Sequence, residues 1–212
     1  MAIKPILFNT EMVRAILDGR KSCTRRIVKH DVEAILNSPF HKENPDVEDK
    51  QIISKLCMPP YQPGDILYVR ETWCKGLERY MYRADYSDTE KFYRDGKEIE
   101  MKWHPSIYMP KEAARIWLKV ADVRVERLQE ITEEQACMEG TDPWDEACYE
   151  NNGWHPTFSD PDSGGNPNMI DGFRKLWDST IKKNDLDRYS WNANPWVWVI
   201  EFERCEKPKE EN

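Results

Sequence analysis

Ile16-Leu17-Asp18-Gly19-Arg20-Lys21-Ser22-Cys23-Thr24-Arg25-Arg26 sets the end of a helix against a run of cations and hydroxyls. Upstream, Asn9 or Thr10 caps a short helix with Met12, Ala15, Ile16 and Leu17 facing inward, and Gly19 supplies the left-handed residue on which helices commonly stop. Just past that stop stand a lysine, two hydroxyls and three arginines, where backbone and side chains can face a ligand. A solvated basic turn needs neither the hydroxyls nor the glycine. A site acting on an anionic or carbonyl substrate uses all of them.

This cationic run belongs to an acidic chain. Arg14, Arg20, Lys21, Arg25, Arg26 and Lys29 are six cations within sixteen residues, whereas the 212-residue chain has 31 Lys and Arg against 39 Asp and Glu, a net charge of −8. Sequence-independent nucleic-acid affinity comes from neutralising phosphates and needs a basic surface. The charge balance therefore excludes a general nucleic-acid coat protein, predicts weak or no duplex DNA binding, and favours a compact anion-facing site. Hydrophobic residues at 39%, charged residues at 33%, and 14 prolines against 9 glycines fit one domain with long loops, residues 1–206, and a disordered tail at 207–212. No apolar run approaches the ~20 residues of a membrane span. The start, Met1-Ala2-Ile3-Lys4-Pro5-Ile6-Leu7, is too short and polar for a signal peptide, so a cytoplasmic protein with no membrane partner is expected. The six cysteines contain no Cys-x-x-Cys pair and are expected as reduced thiols. His30, His41, His104 and His155 lack metal-ligand spacing, so neither a metal nor a cofactor is expected.

Downstream, Tyr61-Gln62-Pro63-Gly64-Asp65 is a turn signature feeding a strand from Ile66 to Glu71, closed by Trp73. Arg79 to Ala84 and Arg115 to Leu128 read as further strands, the second alternating through Val120, Val123 and Val125 with a bend at Asp122. Thr132 caps a helix from Glu133 to Glu139, stopped by Gly140, with an acidic first turn that suits the helix dipole. Another helix, about Ile170 to Thr180, buries Phe173, Leu176 and Trp177. Between them, Thr141 to Asn168 reads as a long loop, and Pro195 to Glu203 as a β-prone strand with aromatics on both faces. Strands with irregular connections and a few short helices predict an α+β fold on a small, mostly antiparallel barrel.

Leu17 to Arg26, Pro63-Gly64-Asp65 leading to Val69-Arg70-Glu71-Thr72-Trp73, Val123 to Gly140, and Phe173 to Trp177 with the closing Trp196 to Arg204 strand carry a family likeness. On these pieces the chain resembles an ASCH-domain protein of the PUA-like superfamily, similar to the longer members found in phage and prophage genomes. The resemblance implies a PUA-like β-barrel with flanking short helices, leaving residues 29–60, 74–115 and 141–169 as long insertions. It also implies a cleft between barrel and helices that binds a nucleobase, nucleotide, nucleoside or single-stranded RNA. One compact branch hydrolyses the amide of N-acetylcytidine with a lysine, a threonine three residues later, and a glutamate near the end of the second helix. Lys21 and Thr24 match the first two at that spacing, and Glu139 matches the third, with Glu134 the alternative if the helix register shifts. Arg20, Ser22, Arg25 and Arg26 then line the substrate side, joined by Arg70, Glu71 and Trp73 at a strand end bordering the cleft. Ser22 and Cys23 depart from the branch's pattern.

The chemistry can be reasoned without the resemblance. Amide hydrolysis needs an activated nucleophile, stabilisation of the oxyanion and a proton for the departing amine. Thr24 or a water attacks, Lys21 is the base if burial and Arg25 or Arg26 lower its pKa, and Glu139 donates the proton. The competing structural reading is an ion pair between Lys21 and Glu139 that joins two elements while Thr24 caps a strand. Cys23 lies where arginines can lower a thiol's pKa but lacks a histidine partner. Trp73, Trp103, Trp117, Trp144 and Trp154 offer either stacking faces or core, with Trp73 singled out by its place after Arg70 and Glu71. Three functions follow: a hydrolase acting on a modified pyrimidine nucleoside, a non-catalytic RNA or nucleotide reader using the same cleft, and an accessory factor whose acidic surface meets a protein partner.

Overall fold

The computed structural model describes residues 1–43, 46–76, 79–94, 96–141 and 169–209. The loop expected over 141–168, with Trp144, Cys148, Trp154 and His155, lies outside the described residues except for Thr141, as does the end of the expected tail. In chain order the elements are β1 (Ile3–Leu7), α1 (Thr10–Leu17), β2 (Cys23–Ile27), α2 (Val32–Leu36), α3 (Pro39–Glu43), α4 (Asp49–Leu56), β3 (Ile66–Arg70), β4 (Trp73–Lys75), β5 (Tyr80–Tyr82), β6 (Phe92–Arg94), β7 (Lys97–Ile99), β8 (Trp117–Arg127), α5 (Glu133–Met138), α6 (Met169–Thr180), α7 (Leu186–Tyr189) and β9 (Trp196–Cys205). The content is mixed α and β. No helix among the described residues is long and apolar enough to cross a membrane.

Contacts divide the chain into two compact units, one made of Met1–Gly19, Tyr61–Ala121 and Phe202–Asn212, the other of Arg20–Pro60 and Asp122–Glu201. In the first, β1 pairs in parallel with β3, and β3 pairs antiparallel with β8. Pro5 is tolerated within β1 because that strand is an edge. The turn signature sets the register here. Gly64 adopts φ +84 and donates its N–H to the Val120 carbonyl at 2.8 Å. Asp65 accepts from the N–H groups of Ala2 and Gln62 and from Lys4 Nζ. On α1, Asn9 accepts from the Met12 N–H as N-cap, and Val13, Ala15 and Ile16 are buried. Arg14, one of the six clustered cations, donates to the carbonyls of Ala84 and Tyr86. The strand expected from Arg79 to Ala84 shortens to β5, because Arg83 donates to the Tyr86 and Ser87 carbonyls and curls the chain into a turn. Ile66, Met109, Ala113, Ala114 and Trp117 pack together as one core cluster.

In the second unit β2 pairs antiparallel with β9, from Cys23 opposite Glu201 to Ile27 opposite Val197, and β9 neighbours the continuing β8. Strand β8 runs unbroken through Asp122 to Arg127, and Arg124 ties Asp122 and Glu126, two residues to either side on one strand face. Cys23, Leu128, Ile131, Ala136, Met169, Phe173, Trp177, Val197 and Val199 pack together under α5 and α6. Helix α4 emerges from a stretch that is polar in sequence, burying only Ile52 and Ile53. Among the described strands the order is β1-β3-β8 in the first unit and β8-β9-β2 in the second, an open row in each rather than a closed barrel. Strands β4–β5 and β6–β7 form two separate two-stranded ribbons.

Candidate functional site

Of the cationic run, Arg25 and Arg26 lie on strand β2 of the second unit, and Lys21 precedes it. Cys23, Thr24 and Arg25 of β2 are buried one after another. Helix α5 is brought against the start of this strand by local chemistry at both of its ends. Thr132 accepts from the Gln135 N–H, and the Gln135 side chain accepts from the Thr132 N–H, so the first turn is fixed reciprocally. Gly140 follows the helix with φ +75, leaving Glu139 as its C-cap. There the Ser22 N–H donates to the Met138 carbonyl at 2.9 Å, and Lys21 and Glu139 form an isolated antiparallel bridge.

Lys21 is wholly buried. Its ammonium donates to the Cys23 carbonyl at 2.7 Å and to both the carbonyl and Oε2 of Glu139 at 2.8 Å. Burial outweighs the pull of the Glu139 carboxylate and pushes Lys21 below its ordinary value, and the nearby Arg26 acts in the same direction. The other carboxylate oxygen, Oε1, accepts from Arg25 at 3.1 Å, and the second arm of Arg25 donates to Gln135 Oε1 at 2.9 Å. Arg25 also lies 3.7 Å from Glu126 Oε2 and over the Phe173 ring. Thr24 is buried, and its hydroxyl oxygen accepts from Arg26 at 2.8 Å.

Of the carboxylates weighed from sequence, Glu139 is the one at Lys21, whereas Glu134 is exposed. Arg20 is exposed and donates to the Gly140 carbonyl at 3.3 Å. The arginines do not make Cys23 reactive. Burial, followed by the field of Glu139, outweighs Arg25 and Lys21 and pushes the thiol up to about 12. Sequence reasoning missed Gln135, Glu126 and Arg124. A Thr-x-x-Gln spacing flags the first as a capping box, and the i, i+2 spacing along β8 places the other two on one face.

Arg70, Glu71 and Trp73 belong to the first unit, where protein groups engage them. Arg70 donates to the Met109 carbonyl at 2.8 Å and also to that of Ile107. Glu71 is held by Arg115, and Trp73 packs against Tyr80 and His104, exchanging backbone hydrogen bonds with the latter.

Neither a family model nor a curated protein matches the chain. Among solved structures, the chain is similar to the crystal structure of an ASCH domain from Lactobacillus crispatus JV V101, with 12% identity over 96% of this chain and 79% of that one, and a TM-score of 0.38.

Proposed function

We propose that the second unit is an ASCH-type module that binds a modified pyrimidine nucleoside and hydrolyses an amide on it, with Lys21, Thr24 and Glu139 as the reacting groups. The full burial of Lys21 against Glu139 carries this reading. Withdrawing an ammonium and a carboxylate from water is costly even when they pair, so such pairs are poor devices for stability alone. Buried ionisable groups with altered proton affinity concentrate instead at functional sites. In its deprotonated form Lys21 takes the proton of a water as that oxygen attacks the amide carbonyl carbon; where the Thr24 hydroxyl attacks instead, a water activated by the same base then hydrolyses the acyl-Thr24 ester and frees the acid. The resulting ammonium lies 2.8 Å from Glu139 Oε2, which hands the proton to the amine as the C–N bond breaks. Arg26, in contact with Thr24, supplies a donor to the oxyanion.

An absorbance screen of N-acylated cytidines tests the reading, with binding of cytidine and its monophosphate measured alongside. Loss of the acyl absorbance on at least one substrate is the expected result. Retained binding without turnover of any acylated nucleoside would assign the chain to nucleotide or single-stranded RNA recognition instead.

A further inference from the structure

A row of alternating charges leads away from Lys21. Glu139 presents Oε2 to Lys21 at 2.8 Å and Oε1 to Arg25 at 3.1 Å. Arg25 lies 3.7 Å from Glu126 Oε2, and Glu126 Oε1 accepts from Arg124 Nε at 2.7 Å. Arg124 is pinned in turn by Asp122 and Glu201. Side-chain exposure is at most 3% at Lys21, Glu139 and Arg25 and then rises to 14% at Glu126 and 30% at Arg124.

Arg25 occupies the step that decides the row's effect on Lys21. Its terminal nitrogens go to Glu139 and Gln135, while its buried Nε has no hydrogen-bond partner among the described residues. A guanidinium placed only for its own solvation would not leave that donor unmatched. Resting on the reading of Lys21 as the base, we infer that Arg25 is the positioning residue of the site: it holds Glu139 with a single oxygen toward Lys21, and Glu126, braced by Arg124, supplies the counter-charge that keeps the guanidinium in place.

The signs of two substitutions follow. Without the Arg25 charge, the whole Glu139 carboxylate acts on Lys21 and favours its ammonium. Without the Glu126 charge, Arg25 draws more fully on Glu139 and leaves less negative field for Lys21. The other groups facing Lys21, namely Cys23 and Arg26 of β2, and Glu201 of β9, which faces Cys23, are the same in both variants.

The test follows Lys21 in the full chain by NMR of 13C-labelled lysine, alongside the pH profile of kcat/KM on N-acetylcytidine. Arg25→Gln should raise the Lys21 midpoint by about 1 pH unit, Glu126→Gln should lower it by less, and Arg25→Lys should restore most of the wild-type value. The basic-group limb of the kcat/KM profile should move with it. An arginine that merely packs would lower the melting temperature and leave the midpoint in place. Midpoints that stay put, or move in the same direction in both glutamine variants, overturn the inference even if turnover is strong. Opposite shifts without turnover of any acylated cytidine uphold the positioning row and overturn the hydrolase reading alone. If Arg25→Gln fails to fold, Glu126→Gln and Arg25→Lys still decide the sign.

Discussion

Two buried carboxylates, each met by an arginine, differ in how their partners are used. In the first unit Glu71, 1% exposed, accepts from two nitrogens of Arg115 at 2.9 and 3.0 Å. The third nitrogen of Arg115 goes to Asp85, and the guanidinium lies 4.0 Å from the Tyr82 ring centroid with 27% of the side chain exposed. This is a saturated, forked pair that also reaches water. In the second unit Glu139 splits its oxygens between two different cations, one cation is a fully buried ammonium, and the other leaves a nitrogen unmatched. A pair built only to join elements would converge on the first arrangement, because it meets less desolvation with better geometry. On the proposed reading, the second arrangement serves Lys21 as the base.

The largest effect expected from this contrast is on turnover. Thr24→Ala should lower kcat/KM on the preferred acylated nucleoside by ~100-fold or more, the usual scale for losing a nucleophile or its orientation. Arg115→Met, assayed where the protein is folded, should change kcat/KM by less than about 3-fold, since it touches no reacting group.

Stability should invert that order. Arg115→Met leaves Glu71 buried and unpaired, and urea unfolding should show a loss of about 3 kcal/mol. Lys21→Met leaves Glu139 still compensated by Arg25, so the same measurement should show little loss or a gain.

The pH dependence of stability should slope oppositely for the two pairs. Burial holds Lys21 below its ordinary 10.5, so between its folded value and 10.5 the unfolded chain binds more protons. Its contribution is complete above 10.5 and is lost as pH falls through the folded value. Burial outweighs Arg115 and holds Glu71 above its ordinary 4.5, so its contribution is complete below 4.5 and is lost as pH rises through the folded value. Urea midpoints across pH should show both slopes, with Lys21→Met removing the alkaline one and Glu71→Gln the acidic one.

The smallest effect concerns the helix that carries Glu139. Thr132→Ala removes the cap of α5 and half of its capping box, which should cost about 1 kcal/mol in urea unfolding.

What was legible in the sequence was what short-range chemistry dictates. The Asn9 cap, the Gly19 stop, the Pro63-Gly64-Asp65 turn and the Thr132-to-Gly140 helix each rest on residues a few positions apart, and each stands where its residues predict. Strand β2 was not legible, because Cys-Thr-Arg-Arg has no apolar alternation and only the distant Glu139 and Glu126 make burial of Arg25 tolerable. β1 buries a single side chain, Ile6, and α4 only Ile52 and Ile53, too few for a period to emerge. The open row of strands was equally hidden, since which hairpins join a sheet and which stand apart is decided by pairing across the fold. The local signs at Arg70, Glu71 and Trp73 suggested a ligand-facing strand end; the groups that engage them, Met109, Arg115 and His104, lie in a segment where no spacing rule points back to them.

The most direct test of the central claim pairs the hydrolysis rate of N-acetylcytidine with the urea midpoint in Lys21→Met and the wild type. With Lys21 as the base, the rate should fall by ~100-fold or more in the variant while the midpoint holds or rises. An unchanged rate with a lowered midpoint would contradict that role and make the buried lysine a clamp.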